Sequence, residues 1–159
     1  MSNKALIEKF YSSFAAQDIE GMLSCYHDNI QFEDPAFGIL KGERAKNMWR
    51  MLLKSSKDGI KLKFSDIQTE GNTGSAIWIA EYNFSRTGRR VVNHVKANFI
   101  FQDGLIINHR DQFSLYKWAK QALGMTGVLI GWSSFFKKKM QKGTNSLLDN
   151  FILKASKTA

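Results

Sequence analysis

Three ionisable side chains in this sequence stand where they could transfer protons: Asp34, His109 and Asp111. His109 and Asp111 are two residues apart, so a β-strand would point both toward the same face. A histidine beside a carboxylate in a site shielded from water can act as a general base or orient a water molecule. The pair therefore predicts acid–base chemistry, and the alternative is a structural ion pair or a hydrogen-bonded core histidine.

Asp34 precedes Pro35 at the end of a short apolar run. A carboxylate that faces an apolar cavity from a strand end would have its pKa raised, because burial disfavours the charged form. The alternative is that Asp-Pro forms a turn in which the carboxylate accepts hydrogen bonds from nearby backbone amides. We take Asp34, Asp111 and His109 as the predicted catalytic residues.

Aromatic and amide side chains on the same predicted faces would line a substrate pocket. Tyr82 shares its strand face with Trp78, and Asn93 shares a face of the next strand with Val95 and Phe99. A hydroxyl or amide among apolar neighbours is typical of small-molecule sites, although Tyr82 also fits a core residue whose hydroxyl is hydrogen-bonded. The predicted substrate-binding residues are Phe10, Trp49, Trp78, Tyr82, Asn93 and Phe113.

No metal or cofactor is predicted. The three histidines lack metal-ligand spacing, and the glycines of 38–42 are not followed by the Lys-Ser/Thr of a phosphate loop. The one cysteine, Cys25, excludes an intramolecular disulfide and is predicted to be a small core residue.

The spacing of apolar residues changes along the chain from a helical repeat to strict alternation. Leu6, Phe10 and Phe14 recur at helical spacing, whereas Ile60 and Leu62 alternate with lysines. Helices followed by a meander of strands indicate an α+β fold, in which a curved antiparallel sheet forms a cone against three N-terminal helices. The predicted helices span 3–16, 19–26, 43–56 and 116–123, and the predicted strands span 30–33, 60–69, 75–86, 90–102 and 105–114.

Three local expectations bear on the site. Residues 27–29 are predicted to form a turn and 38–42 a loop. On the last strand, Ile107 and Phe113 are expected to share the inward face with His109 and Asp111.

Length and composition fit one domain. The chain has 159 residues and 43% hydrophobic content, enough for a single packed core over residues 1–159, with 116–159 as a helical extension. No run of about 18 apolar residues is present, and the first ten residues lack an apolar signal core. A cytoplasmic location is therefore expected.

The net charge of +9 lies in the second half of the chain. Residues 1–80 hold 10 basic and 10 acidic residues, whereas residues 81–159 hold 13 and 4. Such a basic half can attract nucleic acid, anionic lipid or acidic ligands. Because no nucleic-acid-binding signature accompanies it, nucleic acid is not an expected partner.

The tail allows three interpretations. Residues 128–132 with Phe135 and Phe136 could close the open end of the cone as a lid, or form an oligomer contact. Alternatively, residues 147–152 and the lysines 137–139 could lie on an anionic membrane. We favour the lid and do not expect membrane contact by the basic tail.

The run from Gln17 to Leu23, followed by Tyr26–Asn29 and Phe32–Pro35, resembles the front half of ketosteroid isomerases, and the strand meander also aligns. The resemblance covers residues 3–115 and implies the cone fold of the nuclear transport factor two-like superfamily. From His109 onward the sequence is similar to polyketide cyclase-like (SnoaL-like) and limonene epoxide hydrolase-like bacterial proteins. These likenesses carry a fold and not a reaction.

The resemblance places Asp34 at the general base of the isomerases. It also places Phe10 and Ala97 at the two groups that donate hydrogen bonds to the developing enolate, and neither side chain can donate. Classical steroid isomerase activity is therefore not expected.

Together these features predict a cofactor-independent enzyme with an apolar pocket that performs isomerisation, dehydration, cyclisation or epoxide opening on a small molecule. The alternative is a non-catalytic binding or dimerisation module of the same fold. A homodimer is expected through the outer face of the sheet, which carries polar residues such as Glu81, His94 and Lys96.

Overall fold

The computed structural model describes residues 1–55 and 59–157. The helices are α1 (Asn3–Ala15), α2 (Ile19–Leu23), α3 (Glu43–Ser55), α4 (Leu115–Leu123), α5 (Met125–Ile130) and α6 (Ser134–Ser156). The strands are β1 (Tyr26–Asp34), β2 (Gly38–Lys41), β3 (Lys61–Glu70), β4 (Thr73–Asn83), β5 (Arg90–Gln102) and β6 (Leu105–Gln112). The predicted end of the third helix at Ser56 lies outside the described residues.

The first helix shows why the N-terminal elements pack as they do. The hydroxyl of Ser2 accepts a hydrogen bond from the amide of Ala5 and caps α1. Leu6, Phe10 and Phe14 then recur on one face and are buried against the sheet. The helical apolar period in the sequence therefore fixes which side of α1 faces the core.

The six strands form one open, curved sheet in the order β2-β1-β6-β5-β4-β3. The pairs β3–β4, β4–β5 and β5–β6 are antiparallel, whereas β1 and β6 are parallel. Helices α1 and α3 pack against the sheet, and the α+β cone predicted from the sequence is confirmed. The parallel pair brings the end of β1, which carries Asp34, beside the strand that carries His109 and Asp111.

Alternation along β4 and β5 places the expected side chains inside. Trp78 and Ala80 on β4 are buried, as are Val95, Ala97 and Phe99 on β5. His94 and Lys96, which alternate with the buried residues of β5, are exposed. The sheet thus has one apolar inner face and one largely polar outer face.

The expectation for the first half of β6 was wrong. Ile106 is buried and Ile107 is only half-buried, the reverse of the predicted alternation. The cause is a register shift, because Phe101 pairs with Ile106 whereas Ile100 pairs with Asn108. Beyond this bulge, His109 and Asp111 face inward as predicted.

The first strand is longer than predicted. Residues 27–29, expected to form a turn, belong to β1, which begins at Tyr26. Residues 38–41, expected to lie in a loop, form β2 and pair with β1. The turn between these strands follows Asp34 directly.

The tail extends the core at one end of the sheet. Trp118 and Ala122 of α4 and Phe136 of α6 form a second apolar cluster. Leu148 of α6 joins the main core, and Met140 contacts both clusters. In the described part of the chain, none of the helices is both long and apolar enough to span a bilayer.

Candidate functional site

A chain of hydrogen bonds between buried side chains crosses the inside of the sheet. Trp49 Nε1 donates to Tyr26 Oη at 3.0 Å, and Tyr26 Oη lies 2.7 Å from His109 Nδ1. His109 Nε2 lies 2.9 Å from Asp111 Oδ1, which also accepts from Trp78 Nε1 at 3.2 Å. The structure therefore brings two predicted catalytic residues together with two predicted binding residues, Trp49 and Trp78.

The donors of this network define the tautomer of His109. Trp49 can only donate, so Tyr26 Oη accepts from it and keeps its own hydrogen for His109 Nδ1. Nε2 then carries the ring proton and donates to the carboxylate of Asp111. In this arrangement every donor and acceptor of the tyrosine and the imidazole is used, which a doubly protonated ring would not achieve.

Aromatic rings enclose the imidazole on several sides. The ring centroids of Phe10, Phe32 and Phe99 lie 5.4, 5.2 and 4.5 Å from that of His109, and His109 has no solvent exposure. Polar interactions strengthen in such surroundings because water does not screen them. The predicted binding residue Phe10 thus packs against the imidazole of His109 as part of the core.

Tyr11 places a hydroxyl without a partner in the same interior. Among the buried side-chain oxygen and nitrogen atoms of the described residues, Tyr11 Oη is the one that makes no hydrogen bond. Burial raises the pKa of Tyr11 well above its usual value, and the carboxylate of Asp111 raises it further. The phenol is therefore a neutral group near Asp111.

Asp34 combines a turn role with an unusual acidity. Its Oδ1 accepts hydrogen bonds from the amides of Ala36 at 2.9 Å and Phe37 at 2.6 Å. Burial nevertheless raises the pKa of Asp34 to about 7, the Phe37 amide opposes that rise, and the carboxylate of Asp111 adds to it. The turn interpretation made from the sequence is therefore confirmed. The raised pKa agrees with the expected effect of burial, and a catalytic role for Asp34 stays a prediction.

Helix α6 covers the turn after Asp34 through side-chain bonds to its carbonyls. Gln141 Nε2 donates to the carbonyl of Pro35 at 3.2 Å. Thr144 Oγ1 and Asn145 Nδ2 donate to the carbonyls of Ala36 and Phe37 at 2.8 and 2.9 Å. The sequence reasoning missed these three residues, although their spacing with Leu148 puts them on the inner face of α6.

Sequence reasoning also missed Tyr26, which links Trp49 to His109. The sequence pattern places Tyr26 at the end of a predicted helix, whereas in the structure Tyr26 is the first residue of β1. A signal was present in the even-numbered positions Tyr26, Ile30 and Phe32, all buried. The register shift between Tyr26 and Gln31 and the exposed Asp28 hide this alternation.

The remaining predicted binding residues lie toward the α4–α6 end. Tyr82 Oη accepts a hydrogen bond from Trp118 Nε1 at 2.8 Å, and its pKa is raised by burial and, more weakly, by Asp34. Phe113 and Tyr82 each contact both apolar clusters. Asn93 is half-buried on β5.

Two cavities of the described residues lie outside the interior of the cone. One of about 390 Å³ is lined by Ile19, Arg50 and Phe151, among others. The second, of about 750 Å³, lies between the outer sheet face and α4 and includes Asn93 and Phe113. Neither is lined by the predicted catalytic residues, so an apolar pocket beside them stays a prediction.

The family of the chain follows from a match over most of this fold. The SnoaL-like domain family matches residues 7–109, which include most of α1, all of α2 and α3, five strands and most of the sixth. The chain therefore belongs to the SnoaL-like domain family. A comparison with curated proteins found no match.

Solved structures share the fold at low sequence identity. An NTF2-like protein of unknown function from Burkholderia pseudomallei has a TM-score of 0.67 and 15% identity, over 77% of this chain and 98% of its own. A candidate polyketide cyclase from Xanthomonas campestris has a TM-score of 0.60 and 19% identity, over 74% of this chain and 94% of its own. An LEH-like epoxide hydrolase from M. tuberculosis has a TM-score of 0.60 and 21% identity, over 79% of this chain and 92% of its own. Members of the fold thus include a candidate cyclase and an epoxide hydrolase.

Proposed function

We propose that this protein is a cofactor-independent enzyme that uses acid–base chemistry on a small apolar molecule. The observation that carries the proposal is Asp34, a carboxyl group at a strand end whose pKa burial raises to about 7. A group with that pKa is present in both protonation states at neutral pH and can take up a proton and return it. Carboxyl groups with raised pKa values cluster at functional sites.

The neighbouring groups supply the rest of the chemistry. Asp111 is close enough to raise the pKa of Asp34, and it holds His109 in a single tautomer. Asp34 would take a proton from a carbon acid or a water molecule and return it to the product. His109, whose two ring nitrogens are both paired, would hold the carboxylate of Asp111 in place. That carboxylate would orient the substrate or the water, and the phenol of Tyr82 would contact the substrate near Asp34.

Movement of helix α6 would widen access to the half-buried carboxyl group of Asp34. The helix contacts the turn after Asp34 through the side chains of Gln141, Thr144 and Asn145. Three hydrogen bonds of about 1 kcal/mol each can break and re-form in a functional cycle. A lid over this end of the cone would therefore be formed by α6. The lid predicted from residues 128–132 and Phe135 lies elsewhere, since Leu129, Trp132 and Phe135 are exposed.

The substrate class follows from the lining and the relatives. Tyr82, Phe113 and Met140 all pack against the apolar cluster that contains Trp118. The solved relatives include a candidate polyketide cyclase and an epoxide hydrolase. An apolar epoxide or an aromatic polyketide-like ester is therefore the proposed class. A steroid enone is not, because Phe10 and Ala97 offer no donor to an enolate.

The test is turnover of a panel of apolar epoxides, β-hydroxy ketones and aromatic polyketide-like esters by the wild type and two variants. In Asp34→Asn the amide oxygen can still accept from Ala36 and Phe37, so the turn survives while proton transfer is lost. We expect kcat to fall by about 10²–10⁴-fold. The matched control is Glu33→Gln at the neighbouring position, which should stay within about threefold of wild type.

A non-catalytic binding module is the second candidate, and one observation favours it. His109 has both ring nitrogens paired, and Asp34 accepts two backbone amides, as a purely structural site would. Absence of turnover on the whole panel, together with an Asp34 pKa below 4 by carboxyl NMR, would replace the enzyme proposal with this one.

A further inference from the structure

Helix α5 and the start of α6 expose a group of large apolar side chains. Met125 is 74% exposed, Leu129 68%, Trp132 75% and Phe135 71%, and Ile130 is also exposed. We call these five residues the α5–α6 apolar surface. They lie within residues 125–135, and they are larger and more exposed than isolated surface hydrophobics need to be.

Glycines determine which way this surface points. A Cβ atom on Gly127 would overlap the carbonyl oxygen of Ala119, and one on Gly131 would lie 2.7 Å from the Cβ of Ala119. The glycine edge of α5 therefore packs directly on α4. At about 100° per residue, Met125 and Leu129 of α5 fall about 160° away from Gly127, so they face away from the protein. Trp132 follows the end of α5 and is exposed as well.

The surroundings of the surface carry one sign of charge. From Gln112 to Leu148 the chain has lysines at 117, 120, 137, 138, 139 and 142 and no aspartate or glutamate. All six lysines are exposed. Around the axis of α6, Phe135, Lys138, Lys139 and Lys142 fall within an arc of about 100°. The apolar surface is thus bordered by cations on the same side of the helix.

We propose that the α5–α6 apolar surface docks on an anionic lipid bilayer. Apolar aromatic and aliphatic side chains beside exposed lysines are the features that hold a peripheral helix at the headgroup boundary. A second copy of the same surface is a poorer partner, because it would bring two sets of lysines together without an acidic group between them. The inference does not depend on the proposed enzyme activity.

The membrane interpretation made from the sequence concerned a different segment. Leu148 is fully buried and Ile152 packs against the core, so residues 147–152 do not form a continuous exposed apolar face. The exposed set lies upstream of them, at the α5–α6 corner. The lysines 137–139 are common to both interpretations.

The first test is flotation of the full chain with vesicles of phosphatidylcholine alone or with about 30% phosphatidylserine. We expect binding to the anionic vesicles at low salt that weakens as NaCl screens the lysines. The triple variant Lys138→Gln, Lys139→Gln, Lys142→Gln should lower the partition coefficient about 100-fold. The matched control is Lys61→Gln with Lys63→Gln on the distant strand β3, which should change it less than twofold.

The apolar contribution is tested by Trp132→Ser with Phe135→Ser, which should reduce binding at least tenfold. Leu153→Ser is the matched control, since Leu153 is 58% exposed near the far end of the same helix. Circular dichroism of each variant checks that the fold is retained.

Tryptophan fluorescence identifies the residue that enters the lipid. Trp49, Trp78 and Trp118 are buried whereas Trp132 is exposed, so a blue shift on binding would report Trp132. Trp132→Phe should keep the binding and lose the shift.

Absence of binding to anionic vesicles at low salt would overturn the proposal. Equal binding by wild type and the serine double variant would overturn it as well. A dimer that the serine double variant abolishes, seen by ultracentrifugation without vesicle binding, would instead assign the surface to a second copy of this chain.

Discussion

Two opposing effects act on the carboxyl group of Asp34. Hydrogen bonds from the Ala36 and Phe37 amides favour its charged form, whereas burial and the Asp111 carboxylate favour its neutral form. Burial is the largest effect, so the pKa rises to about 7 from an ordinary value of 3.8. The folded protein therefore holds this proton more tightly than the unfolded chain does.

That difference predicts how stability depends on pH. The contribution from Asp34 is fully present below about pH 4 and is lost as the pH rises through about 7. At 1.36 kcal/mol per pKa unit the loss reaches up to about 4 kcal/mol. We expect Asp34→Asn to lack this loss, so that between pH 4 and 8 its free energy of unfolding rises relative to wild type. Urea unfolding across that range, with Glu33→Gln as control, measures the difference, and parallel pH profiles would contradict it.

The hydroxyl groups of Tyr26 and Tyr11 allow a matched comparison. Removing the Tyr26 hydroxyl leaves Trp49 Nε1 and His109 Nδ1 without partners inside the core. The hydroxyl of Tyr11 has no partner to lose. Tyr26→Phe should cost about 3 kcal/mol and Tyr11→Phe about zero, or it should stabilise slightly. Denaturant unfolding of both variants checks the order, and equal costs would show that the network contributes nothing.

At the level of residues, local spacing was sufficient for part of the site. The i, i+2 relation of His109 and Asp111 predicted their shared inward face, and the structure pairs them at 2.9 Å. The spacing could not reveal Tyr26, because its contact with His109 joins residues 83 positions apart. Long-range pairs of this kind depend on which strands become neighbours, here the parallel β1 and β6.

Among the elements, α5 depends on glycine for its place. Its close approach to α4 leaves no room for a side chain at Gly127. By contrast, a Cβ on Gly143 in α6 meets nothing within 4 Å. The two glycines therefore serve opposite purposes, since one permits packing and the other only weakens a helix.

Substitution of these glycines should change stability in opposite directions. Gly127→Ala forces α5 away from α4 and should cost about 3 kcal/mol. Gly143→Ala should stabilise by about 0.5–1 kcal/mol, because alanine restricts the unfolded chain and favours the helix. Thermal unfolding of the two variants measures whether each substitution raises or lowers the stability. A stabilising Gly127→Ala would show that α5 does not pack on α4 as described.

The predicted elements were most accurate where a turn defines a hairpin. Asp103-Gly104 predicted the end of β5 at Gln102 and the start of β6 at Leu105, as the structure has them. The bulge at Ile107 was missed because it depends on pairing with β5. Similarly, β2 is four residues long and becomes a strand through its pairing with β1, which no local pattern shows.

In the whole molecule, the inner face of the sheet is covered and the outer face is not. Helices α1 and α3 cover the middle of the sheet, and the tail helices close one end. On the outer face, Ile77 and Ile100 are exposed among polar neighbours such as Lys96 and Arg110. A groove of about 750 Å³ opens there beside α4. This face is the surface that we expect to meet a second copy.

A dimer through this face would be wet and of moderate affinity, because most of its residues are polar. Ile77 on β4 lies beside Lys96 in the sheet register, so Ile77→Lys would place a second cation at the contact and repel the partner's equivalent pair. We expect the dissociation constant of the dimer to rise at least tenfold, measured by sedimentation velocity over a dilution series. Ile39→Lys on edge strand β2 is the matched control, since Ile39 is also exposed but lies four strands from β4. A dimer that survives Ile77→Lys unchanged would assign the contact to another surface, and a wild type that is monomeric at high concentration would remove the dimer altogether.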